Sequence, residues 1–218
     1  MALIGLDIGG TKFLVAATDR AGTLLRSVQT PTPQNLEEGL TLLKTMARDV
    51  VAGATVEAIG VSCGGPLDLI NGEIYRGEGG VHPEAGHQAI PYRLRNHTGP
   101  VRCSCGAEGC LEELVSGNGI CRLYGKKAEQ LGDEEWAEVG HNLGMGLRNL
   151  AVLYAPNVVV LGGGVATGSG PRFLPTAEKV MREGLRLVPP PRLRVSSLGY
   201  HTALLGAIAL AQDCIRKT

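Results

Sequence analysis

The chain has 218 residues and carries 21 basic against 21 acidic side chains. That length buries one good core or two small lobes, and a net charge of zero offers no basic field for nucleic acid or an anionic membrane. No apolar run is long enough to span a bilayer, and the opening MALIGLDIGG lacks the charged start of a secretory signal, so a cytoplasmic protein is expected.

In chain order, residues 2–7 form a short apolar run ending in Asp7, followed by Ile8-Gly9-Gly10-Thr11-Lys12. The apolar pattern resumes over 13–17, a turn follows at 18–22, and 24–30 supplies a third run. Apolar runs around a Gly-Gly pair predict a hairpin whose tight turn exposes backbone N–H groups. Such groups, with Thr11 and Lys12 beside them, suit a phosphate, and Asp7 suits a magnesium ion held through water. A plain glycine hairpin is the competing reading. Residues 36–52 predict an amphipathic helix on Leu36, Leu40, Leu43, Met46, Ala47 and Val50. Residues 56–62 predict a buried strand, and 68–74 a hairpin with Asn71-Gly72 at its tip. This succession marks an α/β lobe.

The stretch 79–112 holds three of the six cysteines, Cys103, Cys105 and Cys110, in the run C-S-C-G-A-E-G-C. Gly106 and Gly109 permit the tight turns that aim three sulfurs inward. Three thiolates call for a fourth donor, and a tetrahedral zinc site of the Cys₃His type supplies it. His87 is the first candidate, with His97 and His82 as alternatives; buried thiols or a disulfide are the competing reading. Cys63, Cys121 and Cys214 are expected to be buried, reduced small hydrophobes. Glu84 lies three residues before His87, and Glu112 two after Cys110, so a metal clip closing residues 87–110 brings both carboxylates toward one cleft. Ionised carboxylates only accept hydrogen bonds, which suits a ligand rich in hydroxyl donors such as a sugar. Two solvated glutamates are the alternative.

Past Glu112, residues 114–124 and 134–155 carry helical spacing, with Gly140, Gly144 and Gly146 allowing close approach in the second. Residues 158–161 predict a fully buried strand by their β-branched content. It ends in Gly162-Gly163-Gly164, and a helix over about 171–187 follows. A strand leading through glycines into a helix places flat backbone where a nucleotide could lie. A last strand at 193–198 and a closing helix at 202–216 complete the chain.

Together these residues resemble the ROK family (repressors, open reading frames and sugar kinases). LIGLDIGGTK resembles the family's first phosphate loop, and GVSCGGPLDLINGEI its G-P-x-D segment. HPEAGH and CSCGAEGCLE resemble its two-part signature. NLGMGLRNLAVLYAPNVVVLGGGVA resembles the helix and strand before the adenosine loop, and ALLGAIALA its last helix. The resemblance implies an α/β, actin-like (ribonuclease H-like) sugar-kinase fold with two lobes closing on a sugar and ATP. Residues 1–74 would form a lobe with the phosphate loop. Residues 75–218 would form the second, with the zinc and sugar clamp and the adenosine loop, the final helix being free to return to the first.

The implied activity is ATP-dependent phosphorylation of a hexose by a homodimer. Asp7, Gly9, Gly10, Thr11 and Lys12 would face ATP phosphates and magnesium, and Gly162, Gly163 and Gly164 the nucleotide. Glu84, His87 and Glu112 would face sugar hydroxyls, while His87, Cys103, Cys105 and Cys110 would bind zinc. His82-Pro83 before Glu84 is similar to fructokinase-like members, whereas C-S-C-G-x-x-G-C is the glucokinase and repressor form, so the sugar stays open between glucose, fructose and relatives. The donor, ATP or polyphosphate, also stays open.

One departure is large. Around Ile74-Tyr75 the family carries an N-D-A-N motif and a T-x-G-T-G-x-G second phosphate loop, and neither is in this sequence. On the order of 80 residues are missing, enough for much of a lobe's inner sheet. The aspartate of N-D-A-N is the family's general base, and no acid here matches it, Asp68 belonging to the G-P-x-D motif. An impaired kinase is therefore expected. The alternatives are a non-catalytic sugar- or nucleotide-binding regulatory module, or an internally truncated product. No helix-turn-helix precedes Met1, so a repressor of the usual form is not expected.

Overall fold

The first apolar runs form strands β1 (Ala2–Ile8), β2 (Lys12–Thr18) and β3 (Leu24–Pro31), followed by helix α1 (Leu36–Val51) and strand β4 (Val56–Cys63). Farther along, α2 (Leu111–Val115), α3 (Gly117–Tyr124) and α4 (Asp133–Tyr154) precede β5 (Val158–Leu161), α5 (Gly164–Gly184), β6 (Arg192–Val195) and α6 (Thr202–Lys217). These elements belong to a computed structural model that describes residues 1–63 and 84–217. The hairpin expected at 68–74 and the alternative ligand His82 lie outside the described residues. The chain divides into two compact units, Met1–Gly80 with Tyr200–Thr218, and Val81–Gly199.

In the first unit the sheet order is β3-β2-β1-β4, with β1 antiparallel to β2 and parallel to β4. Strand β2 is apolar from Phe13 to Ala17 because both of its faces are covered. Phe13, Val15 and Ala17 pack with Leu43, Met46 and Val50 of α1, while Leu14 and Ala16 pack with Leu204 and Ile208 of α6. This is the two-residue period of a strand serving two helices. The bare backbone of Gly60 lets α6 come close: a Cβ there would lie 1.7 Å from the Ala207 carbonyl oxygen. Helix α1 is started by Asn35, whose side chain accepts from the backbone N–H groups of Glu37 and Glu38 at 2.8 and 3.3 Å.

The second unit is built on the pair α4 and α5, which run side by side in the same direction, Gly140 against Phe173 and Gly144 against Ala177. At Gly140 and Gly144 a Cβ would meet the carbonyl oxygens of Phe173 and Ala177 at 2.7 Å, so these glycines set the spacing of the two helices. Trp136, Val139 and Phe173 fill one part of the interface, and Leu147, Ala151, Ala177 and Met181 the next. Parallel strands β5 and β6 pack at the edge of this core. Among the described residues no helix is long and apolar enough to cross a membrane.

Several expectations are corrected by this packing. Strand β4 is not buried: Ile59 is 54% exposed, because α1 packs on β1, β2 and β3 and leaves that face of β4 open. Strand β5 is likewise half open, with Val160 62% exposed, since the helices cover one side of the two-stranded sheet. Leu36 and Leu40 stay exposed because the contact of α1 begins at Gly39, over the Phe13 ring. Cys121 and Cys214 are exposed and Cys63 is half-buried. Cys121 follows the buried Ile120 and turns outward, and Cys214 lies past Ala211, the last buried residue of α6. The helix expected at 114–124 is two, broken at Ser116, whose side chain accepts from the Gly119 N–H at 3.1 Å. Helix α5 starts at Gly164 and runs through Pro171 and Pro175. Burial of Phe173, Ala177 and Met181 against α4 outweighs the local cost of two prolines.

Candidate functional site

The cysteine run folds as a tight loop on a small apolar base of Ile90, Val101, Leu111 and Leu114. Backbone hydrogen bonds fasten it: Cys103 N–H to Ala107 O at 2.9 Å, Gly109 N–H to Val101 O at 2.8 Å, and Leu111 N–H to Gln88 O at 3.0 Å. Gly106 and Gly109 adopt φ of 91° and 72°, values that favour glycine. The loop brings Cys103, Cys105, Cys110 and His87 together, with one ligand atom from each lying within 4.8 Å of the others. His97 is not in this group.

The spacing fits a tetrahedral ion. Bonds of about 2.3 Å to sulfur and about 2.0 Å to nitrogen give tetrahedral edges of about 3.8 Å between sulfurs and about 3.5 Å from sulfur to nitrogen. The structure has Cys105 Sγ 3.6 Å from Cys110 Sγ, and Cys103 Sγ 3.5 Å from His87 Nδ1. Burial, with the neighbouring sulfurs, pushes the Cys110 thiol up to about 12, whereas the backbone at Ala107 draws Cys105 down. These four residues could hold a metal that compensates buried thiolate charge.

Carboxylates stand on the other side of His87. Its Nε2 is 3.4 Å from Glu112 Oε2 and 4.0 Å from Glu84 Oε2. The Cys103 sulfur, then Glu112 and Glu84, raise the His87 pKa above its ordinary value. The single 3-10 turn Ala85–His87 carries the imidazole, and Gly86 makes room for Glu112, whose Oε2 would lie 3.3 Å from a Cβ there. Glu84 and Glu112 thus form a patch of acceptors around His87 Nε2, beside the cysteine cluster.

Two supports were not visible in the sequence. Gln88 donates to Ala85 O at 2.9 Å and accepts from Asn149 of α4 at 2.9 Å, which ties the histidine turn to the helix core. Buried Glu113 accepts from Arg122 of α3 at 2.6 and 2.5 Å, which fixes α2 and so the Glu112 backbone. Neither pair is adjacent in sequence.

The glycine triplet lies elsewhere in the same unit, at the start of α5. It borders a cleft of about 340 Å³ with Val139, Leu143 and Phe173 as apolar wall. Gly163 has φ of 87°. Ser116 and Gly117 line the same cleft, and the S-G-N-G run that supplies them is a local glycine-rich signal in the sequence.

In the first unit, Gly9, Gly10 and Thr11 form the tip of the β1–β2 hairpin, closed by Gly9 N–H to Lys12 O at 3.0 Å. Asp7 sits near the end of β1 in register with Leu14 and Ser62. Thr32, which no local pattern marks, holds this loop from β3's exit: its hydroxyl donates to Gly9 O at 2.6 Å and its N–H to Thr11 O at 3.2 Å.

The family model described as the ROK family matches residues 56–214. Among curated proteins, the N-acetylgalactosamine kinase AgaK of Shewanella sp. (strain ANA-3) is 29% identical over 175 residues, 70% of this chain and 54% of that relative. The N-acetyl-D-glucosamine kinase of Vibrio vulnificus (strain YJ016) is 31% identical over 128 residues, 50% of this chain and 42% of that relative. The chain spans about half the length of the curated relatives it matches. Among solved structures, a ROK hexokinase from Thermus thermophilus aligns with a TM-score of 0.73 at 26% identity over 100% of both chains. A ROK family glucokinase from Streptomyces griseus, solved with glucose and AMPPNP, gives a TM-score of 0.75 at 21% identity over 98% of this chain and 100% of that one. The α/β architecture is that of these sugar kinases.

Proposed function

The chain belongs to the ROK family, and from that membership we propose that it is a sugar-binding homologue of ATP-dependent hexose kinases in which phosphoryl transfer is impaired. The observation that carries the reading is the division of labour at His87, with Nδ1 against the cysteine cluster and Nε2 against Glu112. Glu84 and Glu112 accept hydrogen bonds from sugar hydroxyls, and His87 Nε2 fixes their direction. Zinc suits the Cys₃His donor set, and when bound it supplies positive charge and a rigid corner, its four protein ligands leaving no open position for chemistry. The relatives named for N-acetylgalactosamine and N-acetyl-D-glucosamine make N-acetylhexosamines the first sugars to test, ahead of glucose and fructose.

The hairpin loop of Asp7, Gly9, Gly10, Thr11 and Lys12 takes the phosphates of ATP with magnesium, its backbone N–H groups serving as anion donors. Gly162, Gly163 and Gly164 take the nucleoside side, supported by the apolar wall of their cleft. Impairment rests on chemistry the sequence lacks. Without the N-D-A-N aspartate no matched group takes the proton from the attacking hydroxyl, and a positioned base contributes roughly 10²–10⁴-fold to rate. The exposed apolar side chains of Val158, Val160, Leu153 and Tyr154 support the expectation of a homodimer.

Sugar-dependent ADP release tests the reading, with magnesium and zinc present and a panel of glucose, fructose, mannose, N-acetylmannosamine, N-acetylglucosamine and N-acetylgalactosamine. The expected rate is about 10²-fold or more below that of the Vibrio vulnificus kinase assayed alongside. Turnover equal to that enzyme would show that another acid acts as base and would end the claim of impairment.

A further inference from the structure

Apart from the cysteine cluster and the glycine cleft, a pocket of about 460 Å³ opens on the α4–α5 side of the second unit. Arg93, His141, Arg148 and Lys179 line it against a single acid, Glu183. Lys179 is paired with that acid at 3.9 Å. Arg93 and Arg148 make no ion pair or side-chain hydrogen bond among the described residues. Two guanidinium groups without a counter-charge in one concavity are suited to a doubly charged oxyanion, whose oxygens match their planar donors.

Both arginines are held by the fold. Buried Asn142 accepts from the Arg93 N–H at 2.8 Å and donates to the Arg93 carbonyl at 3.1 Å, pinning that loop to α4. The Arg148 side chain lies across Gly184, where a Cβ would come 2.4 Å from its Cδ, so the glycine makes the space it occupies. Burial and then Arg93 hold the His141 pKa below its ordinary value, as expected where positive charge waits for an anion. Met145 and Val180 give the pocket an apolar wall, and its size is in the range of small-molecule sites.

We propose that this pocket binds a phosphate monoester, with the phosphoryl group between Arg93 and Arg148 and the organic body against Met145 and Val180. The site is separate from the sugar and nucleotide residues and does not depend on the kinase reading. An N-acetylhexosamine phosphate, a hexose phosphate and a mononucleotide share the required chemistry, and their bodies distinguish them.

Isothermal titration of the full chain at low ionic strength with inorganic phosphate, glucose 6-phosphate, N-acetylglucosamine 6-phosphate and AMP tests this. An organic phosphate is expected to bind saturably and more tightly than inorganic phosphate, to weaken with added salt, and to lose about tenfold or more in the Arg93→Gln/Arg148→Gln double variant. A second readout needs no variant. The groups facing His141 are Arg93 from the loop, Arg148 on its own helix, and Lys179 and Glu183 from α5. An oxyanion added among them raises the His141 titration midpoint, followed by imidazole nuclear magnetic resonance. Absence of saturable binding at millimolar ligand, undiminished affinity in the double variant, or an unmoved His141 midpoint would each overturn the proposal. So would a change of oligomeric state in the double variant, which would assign the face to contact between copies of the chain.

Discussion

His87 joins two chemistries through its two ring nitrogens, 3.5 Å from a thiol on one side and 3.4 Å from a carboxylate on the other. A metal-bound histidine is oriented by the partner of its second nitrogen, so on the proposed function the metal site and the sugar-facing carboxylates are linked through one ring. The consequences separate by residue. Cys105→Ser should lower bound zinc from one per chain to near none and weaken sugar binding with it, measured by metal analysis and titration of the same sample. Glu112→Gln should keep the zinc and weaken sugar binding by about 10–100-fold, the worth of one charge-assisted hydrogen bond. Zinc lost in Glu112→Gln, or sugar binding kept in Cys105→Ser, would break the link.

Among the elements, α4 and α5 carry the second unit, and Gly144 decides how near they come. Helix propensity alone favours Gly144→Ala by about 1 kcal/mol. The new methyl would, however, lie 2.7 Å from both the Ala177 carbonyl oxygen and the Val180 Cβ, and overpacking of this kind costs about 1–3 kcal/mol. Gly144→Ala should therefore destabilise the chain by about 1 kcal/mol net in urea unfolding. A gain in stability would show that the helices part freely.

The same elements show what a sequence can and cannot disclose. The hairpin at Gly9-Gly10, helix α1 and the cysteine loop were readable because their determinants are local: turn glycines, an Asn35 cap, and three sulfurs within eight positions. The openness of β4 and β5 was not readable, because β-branched composition reports that a strand packs well but not how many of its faces are covered. The start of α5 lies before Pro171, which resembles a first helical residue, and only burial against α4 shows the helix passing through it. Thr32 with Gly9, Gln88 with Asn149, and Glu113 with Arg122 leave no mark in the sequence because each pair is joined by folding rather than by spacing.

At the scale of the molecule, the chain belongs to the ROK family but its sequence lacks the N-D-A-N motif, and on the function proposed above its sugar- and nucleotide-facing residues remain. Binding and turnover should therefore come apart. On that proposal, recognition rests on Glu84, His87 and Glu112 held by the cysteine loop, whereas transfer rests on proton removal and on a second phosphate loop. The most direct measurement is the affinity of the purified chain for N-acetylglucosamine and glucose, titrated with zinc bound and again after its removal by a chelator. The account predicts saturable binding of at least one of them when zinc is present and a loss of about tenfold or more when it is removed. No binding by the folded, zinc-loaded chain, or binding indifferent to zinc, would contradict it.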